Sequence, residues 1–287
     1  MTAPVTPDVR SNSRKRLLLM VMEPSLRSLF TNVPARYDVV EPGWDELDDT
    51  LRRASPSSIV VVDPYAGEPS GARLPLVRDL LKRFPSVPVL AVMDLRPEVS
   101  GDVQMLLDWG VSEVAPLGPF RTPGVLRHVL WQAHARPFKR RLEAVLNGYV
   151  GSDARGLLRA AAEVAVEGGQ APELAQRLGV SARTLTAHCL RAGLPAPRHT
   201  QAWIRLLLAC MLLDDPGRTV YSAAYASGYA SERSLRRAIT TSLGVDSTAL
   251  RRAGAFATAG AAFNHALHQA REAARERRRP GPHRKAE

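Results

Sequence analysis

Cysteine is nearly missing from this chain of 287 residues: only Cys189 and Cys210 occur, with no C-x-x-C pair and no histidine-rich cluster beside them. That excludes a small disulfide-stapled scaffold. Both positions fall in helical patterns, so the expectation is reduced, buried thiols in a cytoplasmic protein. Long apolar runs are missing as well. The longest, residues 17–22 and 206–213, fall far short of the roughly 20 residues of a membrane helix. The basic Arg14-Lys15-Arg16 ahead of residues 17–22 imitates the start of a signal peptide, but Glu23-Pro24 ends the run with no small-residue cleavage site, so a strand is expected. Lysine is scarce, and with only 4 among 39 basic residues the arginine excess is attributed to coding composition.

What is present is an ordinary globular balance, 45% apolar and 23% charged residues, in a length suited to two domains. The net charge of +11 is unevenly placed: residues 1–120 sum to −3 and residues 121–287 to +14. A localised basic excess points to a polyanionic partner for the second part. The basic segments have no Trp- or Phe-rich side to enter a bilayer, which argues against a membrane. No phosphate-binding glycine loop, nucleophile elbow, metal motif or pair of catalytic carboxylates occurs, so neither an enzyme nor a cofactor is expected.

Residues 1–13 are polar and read as disordered. From residue 14 to 122, unbroken apolar runs of strand length at 17–22, 59–62 and 88–92 alternate with helical periods at 25–32, 44–54 and 73–84. A helix at 98–109, a short strand at 113–115 and a helix after Pro123 follow. Runs buried on both faces belong to parallel sheets, so the expectation is a doubly wound α/β fold of about five units. The stretches S-S-I-V-V-V-D at 57–63 and G-V-S-E-V-A-P-L-G-P-F at 110–120 resemble a response-regulator receiver domain, a flavodoxin-like fold. The resemblance implies a phosphoacceptor at Asp63 and a magnesium-binding acid at Glu23. The partners that such a site requires are replaced: Met22 stands where a second acid belongs, Met93 at the hydroxyl position and Gly118 at the lysine. A phosphorylated Asp63 would have too few counter-charges. Asp63 is therefore expected to cap the following loop within a pseudo-receiver, whose faces or strand-end crevice serve a second copy, a protein or a small molecule.

Residues 123–150 read as the last receiver helix and a helical linker interrupted at Pro137, with Arg136, Lys139, Arg140 and Arg141 either solvated or touching phosphate. Residues 151–253 then carry a repeated motif. In A-P-E-L-A-Q-R-L-G-V-S-A-R-T-L from 171, Ala175 is the small residue where two helices cross, Gly179 the turn, and Leu174, Leu178, Val180 and Leu185 the apolar residues that hold the second helix at a fixed angle; Ser181 caps the second helix. The pattern returns 49 residues later, with Ala224, Gly228-Tyr229, the cap Ser231, and Leu235 with Ile239. Residues 203–213 between the two units form an apolar helix that holds them apart.

The arrangement resembles the AraC/XylS class of DNA-binding domain. Arg205-Leu206, Ala209 and Leu212-Leu213 follow that class's linker-helix pattern, and Gly228-Tyr229, Leu235, Ile239 and Gly244 its second-unit pattern. The resemblance implies that both second helices enter successive major grooves of double-stranded DNA. The readers are then Ala182, Arg183, Thr186 and Ala187 in the first unit and Glu232, Arg233, Arg236 and Arg237 in the second, with Ser181, Thr184, Ser231 and Thr240 toward phosphates. Ala187 for Arg, Cys189 and Leu235 for Phe, and Ser247 for Pro depart from the pattern, and they weaken expectations for the first unit most. Residues 254–287 read as an alanine-rich helix to about residue 278, whose stripe of Phe256, Phe263, Leu267, Ala270 and Ala274 packs on the DNA domain or a second subunit, and a basic disordered tail. The functional expectation is a cytoplasmic, sequence-specific transcription regulator; the competing one is an adaptor that binds another regulator or polymerase without reading DNA.

Overall fold

The computed structural model describes residues 16–22, 26, 30, 33–66, 73–116, 124–146, 148 and 150–278. The expected disorder at 1–13, the basic tail beyond 278, and Glu23 and Gly118 lie outside the described residues, as does most of the helix expected at 25–32. Five strands, β1 (Arg16–Val21), β2 (Tyr37–Val40), β3 (Ile59–Val62), β4 (Val89–Met93) and β5 (Glu113–Pro116), form one sheet in the order β2-β1-β3-β4-β5, every pair parallel. This is the flavodoxin-like order. Every residue of β3 and β4 is buried, which is why their sequences run apolar without alternation.

Helices α1 (Leu47–Arg53), α2 (Leu74–Arg83) and α3 (Ser100–Trp109) pack Leu51, Val77 and Leu106 against Leu19, Val60, Val62 and Ala91 on one face. The opposite face, Leu18, Met20, Ile59, Val61 and Leu90, receives Leu126 and Leu130 of α4 (Val125–Val145). Strand β2, which the sequence reading does not name, is a four-residue edge strand that buries Tyr37 alone, so it has neither an apolar run nor an alternation to announce it.

The break expected at Pro137 does not occur, and α4 runs continuously through it. An internal proline costs a helix about 3 kcal/mol, and here the helix is pinned on both sides of it. Leu126 and Leu130 lie in the sheet core, while Phe138, Leu142 and Leu146 lie in the helical core. Four cations expected to face solvent or phosphate are instead engaged within the chain. Arg136 bonds Glu113 Oε2 at 2.7 Å, Lys139 bonds Glu163 at 2.7 Å, and Arg140 donates to the carbonyls of Leu107 and Asp108. Arg141 reaches Asp214 at 3.5 Å and lies over the Phe256 ring.

The second core gathers α5 (Ser152–Val166), α6 (Ala171–Arg177), α7 (Ala182–Arg191), α8 (Pro197–Asp214), α9 (Val220–Ala226), α10 (Glu232–Leu243), α11 (Ser247–Arg252) and α12 (Ala255–Arg278). Helix α8 runs through its centre with residues 206–213 all buried, so its apolar run covers every face. The stripe of α12 settles on its own chain: Phe256, Phe263 and Leu267 are buried, and the helix packs on α8, α4, α10 and α11.

The two cores are joined a second time by the loop between α8 and α9. Asp215 accepts hydrogen bonds from the backbone N–H of Ser86, at 3.1 Å, and from its hydroxyl. Arg218 donates to the carbonyl of Ala54 at the end of α1 and lies 3.9 Å from Asp215. Gly217 has φ +77 and lies against Arg52, where a Cβ would come within 2.9 Å of that side chain, so the loop needs glycine for both conformation and space. Asp214, next to this joint, accepts the N–H groups of Ala255 and Phe256 at 2.8 and 3.3 Å and so caps α12.

Candidate nucleic-acid interface

The first helix pair is built on α6 and α7. Gln170 and Glu173 form a reciprocal capping box at the start of α6, and Ser181 caps α7 by accepting the Thr184 N–H at 3.1 Å. The turn between them passes through Gly179 at φ +65, a left-handed conformation that favours glycine. Leu174, Ala175, Leu185, Cys189 and Leu194 enter the common core. Cys189 is 1% exposed, so the residue that replaces the usual phenylalanine is a smaller core side chain. Burial raises its thiol pKa to about 11 and that of Cys210 to about 12.

What α7 leaves outside is Ser181, Ala182, Arg183, Thr184 and Ala187, all exposed, with Thr186 half-buried. Arg183 makes no ion pair among the described residues and is the one cation in the first two turns of α7. Thr186 donates back to the Ala182 carbonyl at 2.9 Å, and Thr184 shares its hydroxyl with Ser181 at 2.8 Å. His188 is half-buried.

The second pair is more cationic. Thr219 with Ser222 caps α9, and Ser231 with Ser234 caps α10. Leu235 and Ile239 are wholly buried and fix the roll of α10, which turns Arg233, Arg236, Arg237 and Thr240 outward. These arginines are not equivalent. Arg233 and Arg237 have no hydrogen bond or ion pair among the described residues. Arg236 bonds Glu232 Oε1 at 2.8 Å and the Ser247 hydroxyl at 2.6 Å. It thereby fastens α10 to α11, and two members of the expected reading set, Glu232 and Arg236, are occupied with each other. Ser247 accepts from Arg236 and is buried, while Asp246 caps α11 through the Thr248 and Ala249 N–H groups at 2.7 and 2.9 Å. Thr240 donates to the Arg236 carbonyl at 3.1 Å.

Arg205 sets where the second pair sits. From α8 it donates to the carbonyls of Ser227 (2.9 Å) and Gly228, and its guanidinium lies 4.6 Å from the centroid of the Tyr229 ring. It therefore closes the C-terminus of α9 and locks the turn onto the central helix. Gly228, at φ +76, approaches the Gly168 carbonyl, where a Cβ would stand at 3.1 Å. The Gly-Tyr turn and the arginine of the linker pattern are thus one contact, a role the sequence pattern names without explaining. The same helix is tied to α5 and to the loop that leads into α6 through Gln201, whose Nε2 donates to the carbonyls of Ala161 (3.3 Å) and Gly169 (3.2 Å).

At the receiver-like end, Asp63 is buried at the close of β3 and its carboxylate accepts the Tyr65 N–H at 2.9 Å. The Tyr65 hydroxyl donates to Asp102, and burial, reinforced by this bond, raises its pKa above the usual phenol range. Met93, at the position where a receiver carries a hydroxyl, is 1% exposed. Glu23, the expected companion of Asp63, lies outside the described residues.

Residues 174–253 match the helix-turn-helix domain family, of AraC type. No curated protein matches the sequence. Two solved structures align with 66% of the chain. One is RcsB from Salmonella enterica serovar Typhimurium bound to promoter rprA in the presence of phosphomimetic BeF3−, at 15% identity over 98% of that chain with a TM-score of 0.31. The other is the response regulator StyR, at 17% identity over 97% of that chain, also with a TM-score of 0.31. Among the described residues no helix is long and apolar enough to cross a membrane.

Proposed function

We propose, from the helix-turn-helix domain at residues 174–253, that the chain is a cytoplasmic, sequence-specific DNA-binding transcription regulator whose receiver-like domain works without phosphorylation. The observation that carries the reading is the set of unpaired, outward-facing arginines on capped helices anchored to one core: Arg183 on α7, Arg233 and Arg237 on α10. A guanidinium held on a rigid helix is suited to bidentate bonding of a guanine edge, worth roughly 1–3 kcal/mol of discrimination per pair. In this reading Ser181, Thr184, Ser231 and Thr240 approach phosphates, Ala182, Thr186 and Ala187 line the first groove, and Arg236 with Glu232 holds α10 in place. Phosphorylation independence is supported by Asp63 bonding its own loop and by the buried thioether of Met93 at the hydroxyl position.

Selection from a random duplex library at about 150 mM salt, where nonspecific phosphate attraction is weak, tests the reading. It expects enrichment of one motif, lost in Arg233→Ala/Arg237→Ala protein that melts like wild type. Sequence-blind binding that disappears with salt would refute it.

One observation favours the adaptor reading. Tyr221 and Tyr225 on α9 are 55% and 52% exposed with ring centroids 4.6 Å apart, an aromatic pair of the kind enriched at protein interfaces. That reading requires a regulator or polymerase partner whose capture survives the arginine substitutions and is lost in Tyr221→Ala/Tyr225→Ala protein.

A further inference from the structure

The crevice at the carboxyl ends of the strands is where an open α/β sheet ordinarily takes a ligand. This chain carries a cleft of about 490 Å³ at the opposite end of the sheet, where Arg16 begins β1 and Arg36 leads into β2. The far walls come from Trp131 and His134 of α4 and from Glu163 and Glu167 at the end of α5. The volume lies within the 300–1,000 Å³ of small-molecule sites.

The charges around the cleft divide into two groups. The wall carboxylates are already neutralised: Glu163 by Lys139 at 2.7 Å and Arg177 at 3.2 Å, Glu167 by Arg177 at 2.8 Å and by the indole N–H of Trp131 at 2.8 Å. Arg136, also in the lining, is matched by Glu113. Arg16 and Arg36 have no carboxylate partner among the described residues; the guanidinium of Arg36 lies only over the ring of Tyr37, 5.3 Å from its centroid. Between these groups sits His134, whose Nδ1 is shut off from solvent without a hydrogen-bond partner. Burial, aided by the two guanidiniums, lowers its pKa to about 3, so the ring is neutral near pH 7. The neutral ring adds no charge of its own beside the two guanidiniums.

We propose that this cleft binds a small organic anion bearing a carboxylate or a phosphate group, with Arg16 and Arg36 as its charge partners and the Trp131 ring as an apolar wall. Charge-assisted bonds from two guanidiniums suit either oxyanion. The assignment stands apart from DNA reading, since none of these side chains belongs to α7 or α10.

The test titrates the full chain with citrate and, separately, with inorganic phosphate at constant ionic strength. Trp131 emission and the His134 ring nitrogens, the latter by NMR, are followed. A saturable change in either signal is expected, with the fluorescence change absent in Trp131→Phe. Arg36→Gln is expected to weaken the binding about tenfold, the effect of one charge-assisted hydrogen bond. Arg36 is exposed, so its replacement leaves the sheet intact; Arg16→Gln, checked by its melting curve, is expected to act alike. Saturation by only one probe supports the site and names its oxyanion. The proposal is overturned if neither probe gives a saturable response in either signal, or if affinity is unchanged in both arginine variants.

Discussion

Replacing Asp215 with asparagine isolates the joint between the two cores. The side chain is buried against Ser86 and Arg218, and burial raises its pKa from 3.8 to about 6, against the lowering effect of its bonds to Ser86 and the attraction of Arg218 and Arg141. The sign follows from proton counting. Between these two values the folded chain keeps a proton that the unfolded chain releases, so raising the pH favours unfolding. At about 1.4 kcal/mol for each pH unit separating the two, the stability withdrawn is about 3 kcal/mol, complete by pH 7 and recovered as the pH falls through 6 toward 4. Asparagine keeps the size and can still accept the Ser86 N–H, but it does not titrate. The amide is neutral beside Arg218, as the protonated carboxyl is at the acid end, so a difference in packing between these two neutral groups sets only the height of the variant's stability curve. That offset is constant across this pH range, since Arg218 does not titrate there. The measurement is urea denaturation of both proteins at half-unit steps from pH 4 to 7.5. The stability of wild type minus that of Asp215→Asn is expected to fall by about 2–3 kcal/mol from the acid to the neutral end. Two curves that stay parallel would refute the burial argument and place Asp215 in contact with water.

The other stability and reactivity predictions concern single side chains. Arg205→Ala is expected to cost about 1.5–3 kcal/mol, the range for hydrogen bonds from a charged donor, and to raise hydrogen exchange in the 227–229 turn ahead of α10; unchanged exchange there would remove Arg205 from its place as the lock. Neither cysteine is expected to react with a thiol reagent at pH 8 in the folded state, because burial holds both thiols protonated, and both are expected to react once urea unfolds the chain. His134 has its folded pKa below the unfolded value of 6.5, so the unfolded state takes up the proton first and the wild type is expected to lose stability as the pH falls below 6.5. His134→Gln is expected to lack that acid-side slope when the two denaturation profiles are compared.

The sheet and the helix pairs were legible because each rests on a local rule. Residues 59–62 are an apolar run because β3 is covered on both faces, and residues 206–213 are one because α8 is surrounded. The caps Ser181 and Ser231 and the turn glycines Gly179 and Gly228 are local chemistry too, and each sits where the pattern put it. The edge strand β2 was not legible, since it buries one residue of four. The continuity of α4 through Pro137 was not legible either, because the proline signals a break and only the two cores at either end of the helix override it. Within the expected reading set, sequence spacing treats Arg233, Arg236 and Arg237 alike. Part of the difference is local, since Glu232 stands four residues before Arg236 and pairs with it; the rest comes from Ser247, which lies 11 residues from Arg236 and meets it only after α11 folds back.

The joint between the cores shows why such features escape a local reading. Asp214-Asp215-Pro216-Gly217-Arg218 has the composition of an exposed turn, and a reading by composition would leave its charges in water. Its partners lie far away in the chain: Ser86 is 129 residues from Asp215 and Ala54 is 164 residues from Arg218. The loop that enters α9, the helix ahead of α10, is therefore positioned by two loops of the receiver-like sheet as well as by Arg205 within its own core. A substitution at Ser86 is remote from every outward-facing arginine, yet it bears on the loop that leads into α9. Two domains joined only by a flexible linker would be energetically separate. Here α4 shares both cores and the 214–218 loop is bonded to the sheet, so the receiver-like domain is part of the support on which the second helix pair stands.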